Sequence, residues 1–207
     1  MAINAQGYFE HLRAYLSDDY IVDQGVTDTL TIKDKYFPEG SRKEAVRKIM
    51  FGFTGEAFAL NLDKKIKKNG KGKQNEFSPP LFQFLNDNAK PWSKKCDYVI
   101  FHRLPRHIYV YCIELKSKAI SAETITAQLT AGHCWVQSLK KVLEQYTGHK
   151  HPLMLQKFVF SSNKNPATYL GPEGKYLARE PSVRFYHYDD LDGLTLEDLE
   201  NSSVMSV

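Results

Sequence analysis

Asp97, Glu114 and Lys116 are the residues of this 207-residue chain whose types and spacing could do chemistry. They sit in two runs rich in β-branched and aromatic residues, CDYVIF and HIYVYCIEL, separated by Arg103-Leu104-Pro105-Arg106. That pattern predicts an antiparallel β-hairpin. Strand side chains alternate, so Glu114 and Lys116 share one face and Leu115 points to the other. A turn that pairs His102 with His107 sets Asp97 opposite Cys112, with Glu114 as its diagonal neighbour roughly 7–8 Å away. Two carboxylates converging at that range suit one divalent, oxygen-seeking cation such as Mg2+. A lysine two residues on can hold a water or stabilise an oxyanion. The plainer alternative makes Glu114 and Lys116 a solvated cross-strand pair on a sheet edge. Against it stand six uncharged residues, Ile108 to Ile113, which read as a strand buried on both faces. A carboxylate buried at its end needs a partner or a metal.

Asp97, a strand turn, then Glu114-Leu115-Lys116 resembles the signature of the PD-(D/E)XK nucleases, a superfamily that includes restriction enzymes, RecB-like exonucleases and Holliday-junction resolvases. Cys96 stands where that signature often has proline. The resemblance covers roughly Ser41 to Ser162. It implies an α/β, restriction-endonuclease-like fold with an α-β-β-β-α-β core, a mixed central sheet flanked by helices. It implies Mg2+ (or Mn2+) held by Asp97, Glu114 and the Leu115 carbonyl, with Lys116 orienting the attacking water or stabilising the pentavalent transition state. In many relatives a glutamate on a helix before the sheet and a glutamine on the helix after it join the site; Glu56 and Gln128 match those places. Read without the resemblance, Glu56 is equally the polar side of an amphipathic helix, and Gln128 a surface glutamine. Gly132 replaces the tyrosine of the RecB-like Q-x-x-x-Y pattern. The implied activity is hydrolysis of phosphodiester bonds, in DNA rather than RNA, in a restriction, repair or phage-defence setting. A homodimer is expected where both strands are cut. The other reading keeps the nuclease-like fold without catalysis, as a nucleic-acid-binding or adaptor/immunity protein.

Composition is ordinary for a soluble globular protein, with 42% hydrophobic and 25% charged residues. The length suits a single domain over 1–207, with the nuclease-like core at about 41–190 and an acidic tail at about 189–207. No apolar run is long enough to span a bilayer and the N-terminus does not read as a signal peptide, so a cytoplasmic location is expected. Cys96, Cys112 and Cys134 have no C-x-x-C spacing and read as buried thiols rather than a zinc or disulfide framework. Walker, G-x-G-x-x-G and H-E-x-x-H motifs are absent. From His187 onward the chain has six acids and no Lys or Arg, which leaves 28 basic against 18 acidic side chains before it, a net of +10. A body so basic suits a polyanion partner. Lys67, Lys68, Lys71 and Lys73, in a basic glycine-containing loop, and Lys118 are the candidate phosphate contacts. Lysines closing a helix on a solvated surface are the plainer reading of that loop.

The elements that must position these residues follow from periodicity. Tyr8, Phe9, Leu12, Tyr15 and Leu16 form a helical stripe over Ala5 to Leu16. Tyr20 to Val22 and Thr27 to Ile32 read as short strands. Ser41 with Glu44 is a capping box, and a helix is predicted beyond it with Val46, Ile49, Met50 and Phe53 inward, continuing through Glu56 to Leu62. Ser121 caps a long helix to about Tyr146, striped by Ile125, Leu129, Gly132, Val136, Leu139 and Leu143. Lys157 to Ser162 is then a strand parallel to the Glu114 strand. Val183 to Tyr188 is a final strand, and the acidic tail a short helix with a frayed end.

Overall fold

Nine residues, Ile108–Lys116, form the strand at the middle of the sheet, here β8. In the computed structural model the chain is described over residues 3–25, 28–38, 40–63, 66–67, 76–77, 94–117, 121–163 and 165–207. Before β8 come α1 (Ala5–Tyr15), β1 (Ile21–Asp23), β2 (Thr29–Tyr36), β3 (Ala45–Gly52), β4 (Glu56–Asn61), the two-residue strands β5 (Ile66–Lys67) and β6 (Glu76–Phe77), and β7 (Tyr98–Arg103). After it come α2 (Ala122–Thr147), β9 (Leu153–Ser161), β10 (Tyr176–Leu177), β11 (Glu180–His187) and β12 (Met205–Ser206). The main sheet is mixed, in the order β1-β4-β7-β8-β9-β11-β10, with β12 added against the start of β9. β4, β7 and β8 form an antiparallel meander; β9 lies parallel to β8, and β11 parallel to β9.

The two faces of this sheet are covered differently. Helices α1 and α2 lie on one face, where Tyr8, Phe9, Leu12, Ile125, Leu129 and Val136 pack on Phe58, Val99, Phe101, Val110 and Cys112. The β2–β3 hairpin and the segment after β11 cover the other, through Leu30, Ile32, Phe51, Leu196 and Leu199 against Ile100, Tyr111, Phe158 and Phe160. Burial on both faces is why β7, β8 and β9 read as nearly unbroken apolar runs. The α/β class and the mixed sheet agree with the sequence reading. Among the described residues the two α-helices lie on one face of the sheet, and the β2–β3 hairpin with the segment after β11 covers the other.

The predicted helix after Ser41 is the largest correction. Residues 45–52 are strand β3, paired with β2 from Tyr36↔Ala45 to Thr29↔Gly52. Ile49 and Phe51 are buried while Val46 and Met50, inward on the predicted helix, are 53% and 56% exposed. Alternation with a period of two therefore beats the helical stripe. The Ser41 hydroxyl accepts from the Lys43 amide at 3.0 Å, a local turn rather than a helix cap. Gly55, at φ +80, turns the chain from β3 into β4 with its Cα against the Arg103 carbonyl, where no side chain fits.

The tail is the second correction. It makes 3-10 turns at Tyr188–Leu191 and Leu196–Asp198, buries Leu191, Leu196 and Leu199, and ends on β12. Tyr188 donates to Asp34 Oδ2 at 3.0 Å, and the Arg47 guanidinium lies over the rings of Tyr36 and Tyr188 at 4.6 and 4.0 Å. Asn201 Nδ2 donates to the Lys157 carbonyl at 2.9 Å. Its apolar residues, spaced between acids, are what dock it. No helix among the described residues is long and apolar enough to cross a membrane.

Candidate active site

The β7–β8 register decides how the acids meet. Tyr98 pairs with Ile113 and Arg103 with Ile108. Continued by one residue, that ladder sets Asp97 directly opposite Glu114, two residues from the predicted pairing with Cys112. The tighter turn responsible is closed by the Leu104 amide donating to the His107 carbonyl at 2.9 Å. A shift of two preserves the face, so both carboxylates lie on the helix-covered side, as alternation requires. Asp97 Oδ2 accepts from the Leu115 amide at 2.7 Å. Because a strand residue's N–H and C=O point the same way, the Leu115 carbonyl also faces Asp97.

Glu114 is 1% exposed. Its Oε1 takes the Lys116 ammonium at 2.5 Å, while Oε2 is buried with no hydrogen-bond partner among the described residues. Lys116 Nζ also donates to Gln128 Oε1 at 3.0 Å, and Gln128 Nε2 to the Lys95 carbonyl at 3.3 Å. Gln128 lies on the second turn of α2, which Ser121 starts by accepting from the Thr124 amide. Burial pushes the Glu114 carboxyl up to about 8, with the Asp97 charge adding to it and Lys116 opposing it. Burial likewise raises Asp97 to about 6, against the Leu115 amide and Lys116. Like charges crowded out of water resist ionising together.

These donors fit a hard divalent cation. Two carboxylates, one with an unpartnered buried oxygen, and a backbone carbonyl turned towards them are an all-oxygen set. Among the described residues no group of three or more His, Cys, Asp or Glu side chains could hold a metal, so an ion here would keep several waters, as Mg2+ tends to.

No protein-family model, curated protein or solved structure matches this chain. The geometry of the site is therefore what bears on its function.

The structure brings together Asp97, Glu114, Leu115, Lys116 and Gln128. Glu56 is elsewhere. It starts β4 opposite Arg103, at the other end of the sheet, and its Oε1 lies 3.2 Å from the Arg103 guanidinium. The run GEAFAL reads as helix in the sequence because buried strands and buried helices share uninterrupted apolar residues. Lys67 belongs to β5, and Lys68, Lys71, Lys73 and Lys118 lie outside the described residues. Sequence reasoning missed Asp63, just past the β4 end, which adds negative potential at Asp97. Reading Ala57–Leu60 as a strand of the meander would have found it.

Gly132 has a structural reason. A Cβ there would run into the buried Cys96 Sγ, so α2 approaches the β7 entry as closely as it does only because 132 has no side chain. Gly132→Ala is expected to destabilise the protein by about 1–3 kcal/mol through overpacking, outweighing alanine's helix preference of about 1 kcal/mol. Urea denaturation measures this, and pairing it with Cys96→Ala should recover most of the loss.

Proposed function

We propose that this protein is a metal-dependent nuclease of the PD-(D/E)XK type, hydrolysing phosphodiester bonds in DNA. The observation that carries the reading is the convergence of Asp97, Glu114 and Lys116, with Gln128 behind the lysine, in a largely buried strand end. Element order supports it. Taken in sequence, α1, β4, β7, β8, α2 and β9 make an α-β-β-β-α-β series, with β1 and the β2–β3 hairpin between α1 and β4 and the short β5–β6 pair between β4 and β7. The net +10 carried before residue 187 supports a polyanionic substrate.

In this reading Asp97, Glu114 and the Leu115 carbonyl hold Mg2+ or Mn2+. The bound ion supplies Lewis acidity at the scissile phosphate and a lowered pKa for its water. Lys116 donates to the attacking water or to a charged phosphoryl oxygen, where a fixed cation in a poorly solvated site counts most. Gln128 sets the ammonium's direction. Solvent excluded by the first turns of α2, on the helix-covered face, keeps these interactions strong.

The test is cleavage of supercoiled and linear DNA by the whole protein with Mg2+, Mn2+ or EDTA. Metal-dependent cutting supports the reading, and nicked circles as against shortened ends separate endonuclease from exonuclease action. One observation favours a binding-only protein of the same fold: the Glu114–Lys116 pair is closed, with the ammonium on one of the two acids. DNA retention without cutting in any of the metals would establish that alternative.

A further inference from the structure

At the other end of the sheet, on the face away from the helices, lies a separate cavity of about 480 Å³. Tyr109 and Tyr111 of β8 line it with rings 6.4 Å apart at 15°. Gln156 pairs with Tyr111 across the β8–β9 ladder and so projects from the same face. Tyr176 forms another wall, and Glu197 and Glu200 reach it from the segment after β11.

Three features restrict what fits. Gln156 is 7% exposed, yet its Oε1 acceptor has no hydrogen-bond partner among the described residues. Among the described residues no Lys, Arg or His lines the cavity, while two carboxylates do. The remaining polar lining is Asn201, Ser202 and three tyrosines, whose ring faces attract cations. Arg184, whose guanidinium lies 5.3 Å from the Tyr176 ring centroid, is not among the lining residues. Glu197 is anchored by the Thr54 amide at 2.8 Å and hydroxyl at 2.5 Å, so the acidic side is fixed in place. An anionic ligand would meet two carboxylates. An apolar one would leave the buried Gln156 acceptor unpaired. We propose that this cavity binds an organic cation, a protonated amine or guanidinium, with Gln156 Oε1 accepting its N–H, Tyr109 and Tyr111 flanking it, and Glu197 and Glu200 balancing its charge.

The cavity is remote from Asp97 and Glu114, so the inference stands whether or not the chain cuts DNA. Calorimetry on the whole protein, with agmatine and with an end-blocked arginine-containing peptide as probes, tests it. Saturable binding of agmatine marks a free amine as the ligand, and binding of the peptide alone marks an arginine side chain of a protein. Glu200→Gln, on the exposed rim, should weaken either by about tenfold, the scale of a charge-assisted hydrogen bond. Gln156→Met should weaken it at least as much while leaving the circular dichroism spectrum unchanged. A neutral analogue, N-butylurea, should not bind. No saturable binding of either probe, equal affinity in both folded variants, or equal binding of the neutral analogue would each overturn the proposal.

Discussion

Asp97→Ala and Lys116→Ala should each lower the proposed metal-dependent cleavage by about a hundredfold or more in a protein that still folds. Loss of a metal-holding carboxylate removes several kcal/mol of charge stabilisation in the transition state, on the order of 10³-fold in rate. Loss of the Lys116 ammonium removes one preorganised donor, about 10²–10³-fold. The two should differ in kind as well as size. Asp97→Ala removes a cation ligand and should raise the Mg2+ concentration needed for half-maximal rate. Lys116→Ala keeps both carboxylates, so the rate falls at saturating Mg2+ while the metal requirement is not raised. Glu56→Gln serves as the control. Glu56 lies opposite Arg103 at the far sheet end, so cleavage should be unchanged. Single-turnover cleavage across a Mg2+ titration, with far-ultraviolet circular dichroism for folding, measures all three. Undiminished cutting by Asp97→Ala or Lys116→Ala would remove the site from the reaction.

The metal-free protein should lose stability as pH rises from about 4.5 to about 8, and Mg2+ should restore it. Glu114 is raised from its ordinary 4.5 to about 8 and Asp97 from 3.8 to about 6, chiefly by burial. Between those limits the folded state holds protons that the unfolded chain has released, so stability falls with rising pH and levels off above the folded values. Holding one such proton across a single pH unit is worth about 1.4 kcal/mol, so the loss over the window is several kcal/mol, with Glu114 the larger contributor. A cation needs both carboxylates ionised, so its stabilising effect should grow across the same window. Thermal melts at pH 5, 6.5 and 8, with Mg2+ and with EDTA, give the result. The melting temperature with EDTA should drop towards pH 8 and the Mg2+ increment should widen. Glu114→Gln removes the main titrating group, so its EDTA melts should depend on pH much less. An equal Mg2+ increment at all three values would mean that the buried acids do not hold the ion.

Much of this architecture is legible from local patterns. Helix α2 is readable at both ends because Ser121 and Gly148 are caps whose geometry is intrinsic to the residue types, and Gly148 does adopt the left-handed φ of +69. Strand β9 and its parallel sense follow from a strand, a long helix and another apolar run. The sharing of one face by Asp97, Glu114 and Lys116 follows from the period of two, which survives a two-residue error in register. The stretch 41–62 is not legible in the same way. Ser41, Glu44, Ile49, Phe53 and Leu60 satisfy a helix as well as a strand, and only pairing with β2 on one side and β7 on the other decides between them.

By itself, then, the sequence determined the element types where caps and periodicity agree, the face on which the three charged residues lie, and the basic balance of the body. Tertiary structure alone decided which acids meet. It placed Asp97 opposite Glu114 through the closure of a turn, sent Glu56 to the far end of β4, and brought Gln128 to Lys116 by docking α2 on Cys96 through Gly132. It also turned an acidic tail into a wall of the second cavity, because Leu191, Leu196 and Leu199 pack beside the β2–β3 hairpin on the sheet face away from the helices. Local sequence carries φ/ψ preference and side-chain alternation. The distances between residues far apart in the chain come from packing, which no single segment encodes.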